Sequence, residues 1–266
     1  MNALAIGLDR TVLELKMYFR EREAVFFSFA FPILMLGMFS VIFANSFGKA
    51  DTAGVNAARF FLPGMVAAGV MLTSFQSIAL SVATERDDGT LKRLRATPMP
   101  PVSYFLGKAG LVAVTSLAQF ALLIALAALA FGVRLPSDAA HWLTFAWVFV
   151  MGVACGTVLG IAYSSLASSA RSVGAVVAPT LILQFISGVY FAFRDLPSWL
   201  KEVAAVFPLK WVAQGMRSVF LPDDWRTQEM AAGWEHGRTA LVLAVWAVAG
   251  IVLCLRTFRW TRRGTG

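Results

Sequence analysis

The residues of this chain best placed to do chemistry form one charged stretch, Glu85-Arg86-Asp87-Asp88-Gly89-Thr90-Leu91-Lys92-Arg93-Leu94-Arg95-Ala96-Thr97-Pro98, set between two long uncharged apolar runs. Its chemistry is recognition rather than bond-making. The spacing predicts a short helix that Asp87 or Asp88 caps at its start, with Leu91 and Leu94 on one face. Pro98 disfavours helix at Thr97 and ends it. Two leucines framed by Lys92, Arg93 and Arg95 suit docking to another protein. On spacing alone a second reading stands beside this one, a basic cytoplasmic loop that only fixes topology.

The remaining chemistry-bearing types do not assemble into a catalytic set. No GxxxxGK[ST] is present to cradle a nucleotide phosphate, so ATP and Mg are not expected on this chain. His141 and His236 lie outside the apolar runs and have no ligand-type neighbours at metal spacing, so no metal site, cofactor or Ser/His/Asp arrangement is expected. Cys155 and Cys254 fall at different expected depths, which argues against a disulfide.

The elements that hold the charged stretch in place are read from hydropathy. The chain has 266 residues, 58% of them hydrophobic, and a mean hydropathy of +0.70. Its apolar residues come in six blocks, 24–44, 60–83, 109–132, 142–167, 172–193 and 239–255, none containing Asp, Glu, Lys, Arg or His. Each approaches the ~20 residues that a spanning helix needs. The expected fold is therefore an all-α integral membrane protein with six transmembrane helices. Residues 24–266 form the membrane domain, with an inner loop over 84–108 and an outer segment over 194–238. With the N-terminus inside, 14 of the 23 Lys and Arg fall on the inner side, and three of the other nine lie in short loops. This places both termini in the cytoplasm of a plasma (inner) membrane. The net charge of +8 then reads as a basic inner face toward anionic lipid, with no nucleic-acid role.

Residues 1–23 carry Leu4, Leu8, Val12, Leu15 and Phe19 at helical period, with Asp9, Arg10, Glu14 and Arg20 elsewhere, as in a helix lying along the inner surface. In the outer segment, Leu196–Phe207 breaks at Pro208 and Lys210–Leu221 resumes; both halves are too short to span and read as re-entrant or interfacial helices. Trp142, Trp199, Trp211, Trp225 and Trp234 are expected near the same face as an aromatic belt. Gly152, Gly156 and Gly160 make two overlapping GxxxG spacings, read as close packing within the chain or as a dimer seam. Pro32 and Pro179 sit inside spans, which tolerate them when neighbours re-satisfy the backbone. Spans without ionisable groups oppose an ion-coupled carrier and assign the energy source to a soluble partner.

Beyond the spacing argument, the run Glu85–Pro98 with Tyr104-Phe105-Leu106-Gly107-Lys108 resembles the E-R-x-x-G-T-L-x-x-L-x-x-T-P…GK signature of type-2 ABC transporter permeases. Phe26–Leu36 with Pro32 is similar to that family's first span. Ser187-Gly188-Val189-Tyr190-Phe191, Leu196-Pro197 and Phe207-Pro208-Leu209 are similar to its S-G-x-x-F…L-P…x-P-L ending. The resemblance implies that Glu85, Arg86, Gly89, Thr90, Leu91, Leu94, Arg95, Thr97 and Pro98 form a coupling element seated on an ATP-binding cassette ATPase. It also implies that residues 1–23 are a connecting helix, and that two permeases, identical or closely related, pair with two separate ATPase subunits. Pro100-Pro101 departs from the pattern as a stiff exit. The second and fifth spans would face the pathway, bringing Thr73, Phe75 and Gln76 together with Gln184 and Phe185. The alternative for these polar groups is hydrogen bonding between helices. The function so implied is outward movement of an amphipathic drug-like molecule or lipid. Export of a polysaccharide or other lipid-linked polymer, and a non-transporting anchor that recruits a cytoplasmic partner, are the alternatives.

Overall fold

The computed structural model describes residues 2–47, 55–166, 174, 177–191 and 193–258. Among them every regular element is helical. Five helices are long and apolar enough to cross a bilayer: Val25–Ile42, Ala57–Asp87, Pro101–Phe131, Ala139–Ser165 and His236–Thr257. They answer to the first, second, third, fourth and sixth expected spans. We label the elements α1 (Ala3–Arg20), α2 (Arg22–Ile42), α3 (Ala44–Phe47), α4 (Ala57–Met71), α5 (Ile78–Asp87), α6 (Thr90–Arg95), α7 (Pro101–Phe131), α8 (Ala139–Leu166), α9 (Val177–Ile186), α10 (Ser198–Val206), α11 (Pro208–Phe220) and α12 (His236–Thr257).

Two expectations are corrected. The fifth span, taken as 172–193, lies partly outside the described residues, and its last part is not helix. The described α9 stops at Ile186, and the chain turns at Ser187-Gly188, where Gly188 adopts φ +72°. That left-handed backbone suits glycine, and an added Cβ would sit 3.2 Å from Phe193 and from the Arg217 guanidinium. The inner loop, taken as 84–108, is also shorter. Helix continues through Asp87 and restarts at Pro101, so only Asp88–Pro100, including α6, joins the two stems. The cause is chemical: Glu85 and Lys108, whose charges ended the apolar blocks, are neutralised by partners and remain in helix. Pro101 takes the first turn of α7, where its missing N–H is no loss, and Pro100 is extended before it.

Between α4 and α5 the backbone widens into a π-helical turn, Leu72–Ser77. Hydroxyls of Thr73, Ser74 and Ser77 bond back to carbonyls of Gly69, Val70 and Leu72, offering the backbone alternatives to the regular ladder. The glycine stripe of α8 receives this bulge. A Cβ at Gly156 would fall 2.0 Å from the Ser74 hydroxyl, and one at Gly160 2.6 Å from the Phe75 carbonyl oxygen. Packing within the chain therefore accounts for both.

The outer segment breaks at Pro208, as its sequence predicts. Helix α10 leaves Trp199, Val203 and Val206 exposed, whereas every residue of α11 is buried. The latter wedges among α4, α8 and α12. Trp211 is accordingly a core residue rather than a belt residue, its Nε1 donating to the Ala205 carbonyl at 2.8 Å.

Helix α1 packs on α7 through its polar side. Gly7, Arg10 and Glu14 are buried, while Leu4, Leu8, Val12 and Phe19 are exposed. Small residues on α7 permit this approach: a Cβ at Gly107 would lie 2.4 Å from Arg10 Cγ, and one at Gly110 2.3 Å from the Thr11 hydroxyl.

Candidate functional site

The site is built where α1, α5, α6 and α7 meet. Gly89 precedes α6 with φ +78°, and nothing lies within 4 Å of a Cβ built there, so backbone conformation rather than space calls for glycine. Asp88 Oδ1 accepts from the Thr90 N–H at 2.8 Å and satisfies one orphan donor of the helix start. At the other end the Thr97 hydroxyl donates to the Leu94 carbonyl at 2.6 Å. Six residues make too short a helix to hold alone. Its apolar side must pack back on its own stems, and it does. Leu91 is 0% exposed, in one cluster with Ile78, Val82, Tyr104, Leu111, Val112 and Ile161, and half-buried Leu94 packs against that cluster. This corrects the expectation that both leucines are offered to a partner. Lys92, Arg93, Arg95, Ala96, Thr97 and Pro98 are the exposed residues, and the free face is basic.

Behind α6 lies a buried charge cluster that hydropathy does not reveal. Lys108 has no exposed surface, and its Nζ contacts Glu14 at 2.8 Å, Glu85 at 2.7 Å and the Ser81 hydroxyl at 2.8 Å. Arg10 meets Glu14 at 2.6 Å and Glu85 at 3.6 Å. The Tyr104 hydroxyl donates to the second Glu85 oxygen at 2.8 Å, and the Arg10 and Lys108 cations lie 5.8 and 5.6 Å from its ring centre. Two acids and two bases thus balance within one buried cluster, as low-dielectric surroundings demand. Arg86 donates to the Ser164 carbonyl on α8, and the Ser103 hydroxyl donates to the Ala3 carbonyl of α1 at 2.8 Å. The stems of α6 are therefore clamped to α1 and α8 by polar contacts. A displacement of α6 would act on the N-terminal helix and on two long helices together.

Beside this cluster opens a cavity of about 340 Å³ between α1, α5 and α7. Arg10, Glu14, Glu21, Glu85 and Asp88 give it a charged rim, and Ile78, Leu80, Leu111 and Val112 give it an apolar wall. Tyr18 also lines it, and burial holds that phenol above its ordinary value.

The profile described as ABC-2 family transporter protein matches residues 49–256. The chain belongs to the ABC-2 family. Similar relatives include the putative transport permease ycf38 of Porphyra purpurea, 26% identical over 79% of this chain and 72% of that protein. The protein of the same name from Cyanophora paradoxa is 23% identical over 84% and 78%. The probable multidrug ABC transporter permease YbhR of Escherichia coli K12 is 27% identical over 62% of this chain and 44% of its own length. Family membership with five long apolar helices makes this a multi-pass membrane protein and implies an ABC ATPase partner; permease subunits of this family are not themselves enzymes. Arg10 and Glu14 precede the matched region, whereas Glu85 and Lys108 lie within it.

Among the described contacts, the expected pathway residues Thr73 and Phe75 have partners apart from those of Gln184 and Phe185. Thr73 is buried and its hydroxyl lies 2.6 Å from that of Ser116, an interhelical bond, although the residue also borders the inner cavity. Phe75 is half-buried against Tyr163, ring centres 5.9 Å apart, and Gln76 is half-buried. Gln184 is buried and accepts from the Tyr190 hydroxyl at 2.6 Å, and Phe185 is 49% exposed on α9. Sequence reasoning missed Arg10, Glu14, Tyr104 and Lys108 as a site. The available signal was Gly107-Lys108 immediately before an uncharged run, and the Arg10–Glu14 spacing of one helical turn.

Proposed function

We propose that this chain is the membrane permease subunit of an ABC exporter, working as a dimer with itself or a close relative. Two copies of a separate ATP-binding subunit power it and hold the ATP and Mg. The observation that carries this reading is α6, which hangs between two long helices with its leucines packed back on those stems, a basic face outward and a neutral charge cluster locking the stems to α1. A lever must be stiff behind and sticky in front, and this one has both properties. The basic excess on the same side supports a topology with α6 and both termini on the cytoplasmic face of the plasma membrane. The exposed leucines and phenylalanine of α1 would then lie in the inner interface, while α10 and α11 would lie in the outer leaflet. The cargo is an amphipathic molecule, drug-like or lipid, moved outward. The half-charged, half-apolar inner cavity supports this, as does the word multidrug in the name of one relative.

A photo-crosslinking residue at Ala96 should trap the ATPase, whereas the same residue at exposed Leu129, at the far end of α7, should not. Arg93→Glu with Arg95→Glu should weaken ATPase recruitment about 10-fold or more without lowering the melting temperature of the isolated chain. Undiminished recruitment and transport by that double variant would make the segment a topological loop and refute the coupling role assigned to α6.

A further inference from the structure

At the end of the bundle away from α6, two arginines stand together where α4 begins and α7 ends. Arg59 lies in the first turn of α4, and its Nε donates to the carbonyl of Phe220, the last residue of α11, at 2.7 Å. Arg134 follows α7, is exposed, and lies close enough that its charge repels that of Arg59. The described ion pairs at this end are His141–Asp138, Arg217–Glu229 and Arg238–Glu235, and neither arginine joins one. Like charges held together with no carboxylate paired to either are unfavourable unless something anionic sits between them.

Space for such a group is present. Both arginines line a cleft of about 290 Å³ whose other described walls, Asn56, Gly132 and Val133, carry no charge. Both also line an adjoining cleft of about 370 Å³, within the ~300–1,000 Å³ range of small-ligand sites, and there Asp138 and Asp223 are further wall residues. Asp138 is bonded to His141, and Asp223 accepts from Trp234 Nε1 at 3.1 Å, so neither carboxylate meets an arginine or lysine in the described ion pairs. The larger cleft thus contains a cationic pair and two carboxylates that do not pair with each other. Trp142, whose Nε1 donates to the carbonyl of the wall residue Pro136 at 3.0 Å, stands beside it. In a multi-pass membrane protein the outer ends of α4 and α7 lie at headgroup height, where tryptophans concentrate.

We propose that this outer cleft binds the headgroup of an amine-bearing phospholipid, its phosphate between Arg59 and Arg134 and its ammonium toward Asp138 and Asp223. Guanidinium forks match phosphate oxygens in pairs, which fixes the orientation of the headgroup. The carboxylates select against headgroups that are only anionic. The proposal needs the family's membrane placement but not the export reading, and it holds if the cargo is something else.

The test uses the full chain purified in mild detergent and stripped of lipid. Native mass spectrometry and thermal shift are read during titration with phosphatidylethanolamine, phosphatidylglycerol and inorganic phosphate. Phosphatidylethanolamine should be retained and raise the melting temperature, with at least a 5-fold preference over phosphatidylglycerol. Arg134→Gln should weaken that binding about 10-fold without lowering lipid-free melting, since the side chain is exposed and its loss relieves repulsion of Arg59. Asp138→Asn with Asp223→Asn should reverse the preference toward phosphatidylglycerol. Unaltered lipid retention by Arg134→Gln, or equal binding of the two lipids, would overturn the proposal. Full occupancy by millimolar phosphate with no gain from lipid would overturn it too, in favour of a free-anion site.

Discussion

Replacing Lys108 by methionine tests whether the buried cluster behind α6 is an electrostatic unit. The ammonium is fully buried between Glu14 at 2.8 Å and Glu85 at 2.7 Å. Methionine keeps much of the stem's packing but leaves two carboxylates sharing Arg10 alone, a buried site with one uncompensated negative charge. Breaking one side of such a pair costs about 3–5 kcal/mol, more than the ~1 kcal/mol that an added apolar contact returns. Adding Glu85→Gln restores neutrality and leaves the Arg10–Glu14 contact at 2.6 Å intact. The Lys108→Met/Glu85→Gln chain should therefore lose only about 1–2 kcal/mol. The cycle should show a coupling of about 2 kcal/mol or more rather than additivity. Chemical denaturation in detergent, read by tryptophan fluorescence for the four chains, measures this. A Lys108→Met loss below about 1 kcal/mol, or a double variant equal to the sum of its singles, would refute the reasoning. Paired with the ATPase, the double variant should fold yet hydrolyse ATP without response to cargo, because the clamp between α1 and the stems of α6 is loosened.

Leu91→Ala should cost about 2–5 kcal/mol of the chain's own stability, because that side chain fills the cluster with Ile78, Val82 and Tyr104; unchanged melting with lost ATPase recruitment would instead place Leu91 in the partner's groove. Lys210 is buried on α11, bonded to Gln214 and 3.6 Å from the Trp211 ring centre, and burial pushes its amino group down to about 8. Its unfolded value is about 10.4, so between the two the unfolded chain binds more protons and stability should rise with pH, by about 3 kcal/mol at most, with the burial penalty fully present below pH 8. Lys210→Met should remove that rise, seen as a flat difference between melting curves at pH 7.5 and 9.5.

The sequence by itself determined the solvent and the class of fold. Long runs without charge leave helix as the structure that satisfies backbone groups in a bilayer, so five of six spans, the break at Pro208 and the short helix after Gly89 were legible from composition and local rules. The inner-loop motif identified the family before any contact was known. Tertiary structure decided what local rules could not: which charges leave water. Hydropathy assigns Glu85 and Lys108 to a loop because each alone is costly to bury. Their partners Arg10 and Glu14 are 71 or more residues away in sequence, and only the packing of α1 on Gly107 and Gly110 brings them together. The same limit misplaced the leucines of α6. Their spacing marks a shared face, but which surface covers that face depended on stems whose lengths were set by the buried charges. The two arginines of the outer cleft are separated by 75 residues and share no motif. Their proximity exists only because α4 begins where α7 ends.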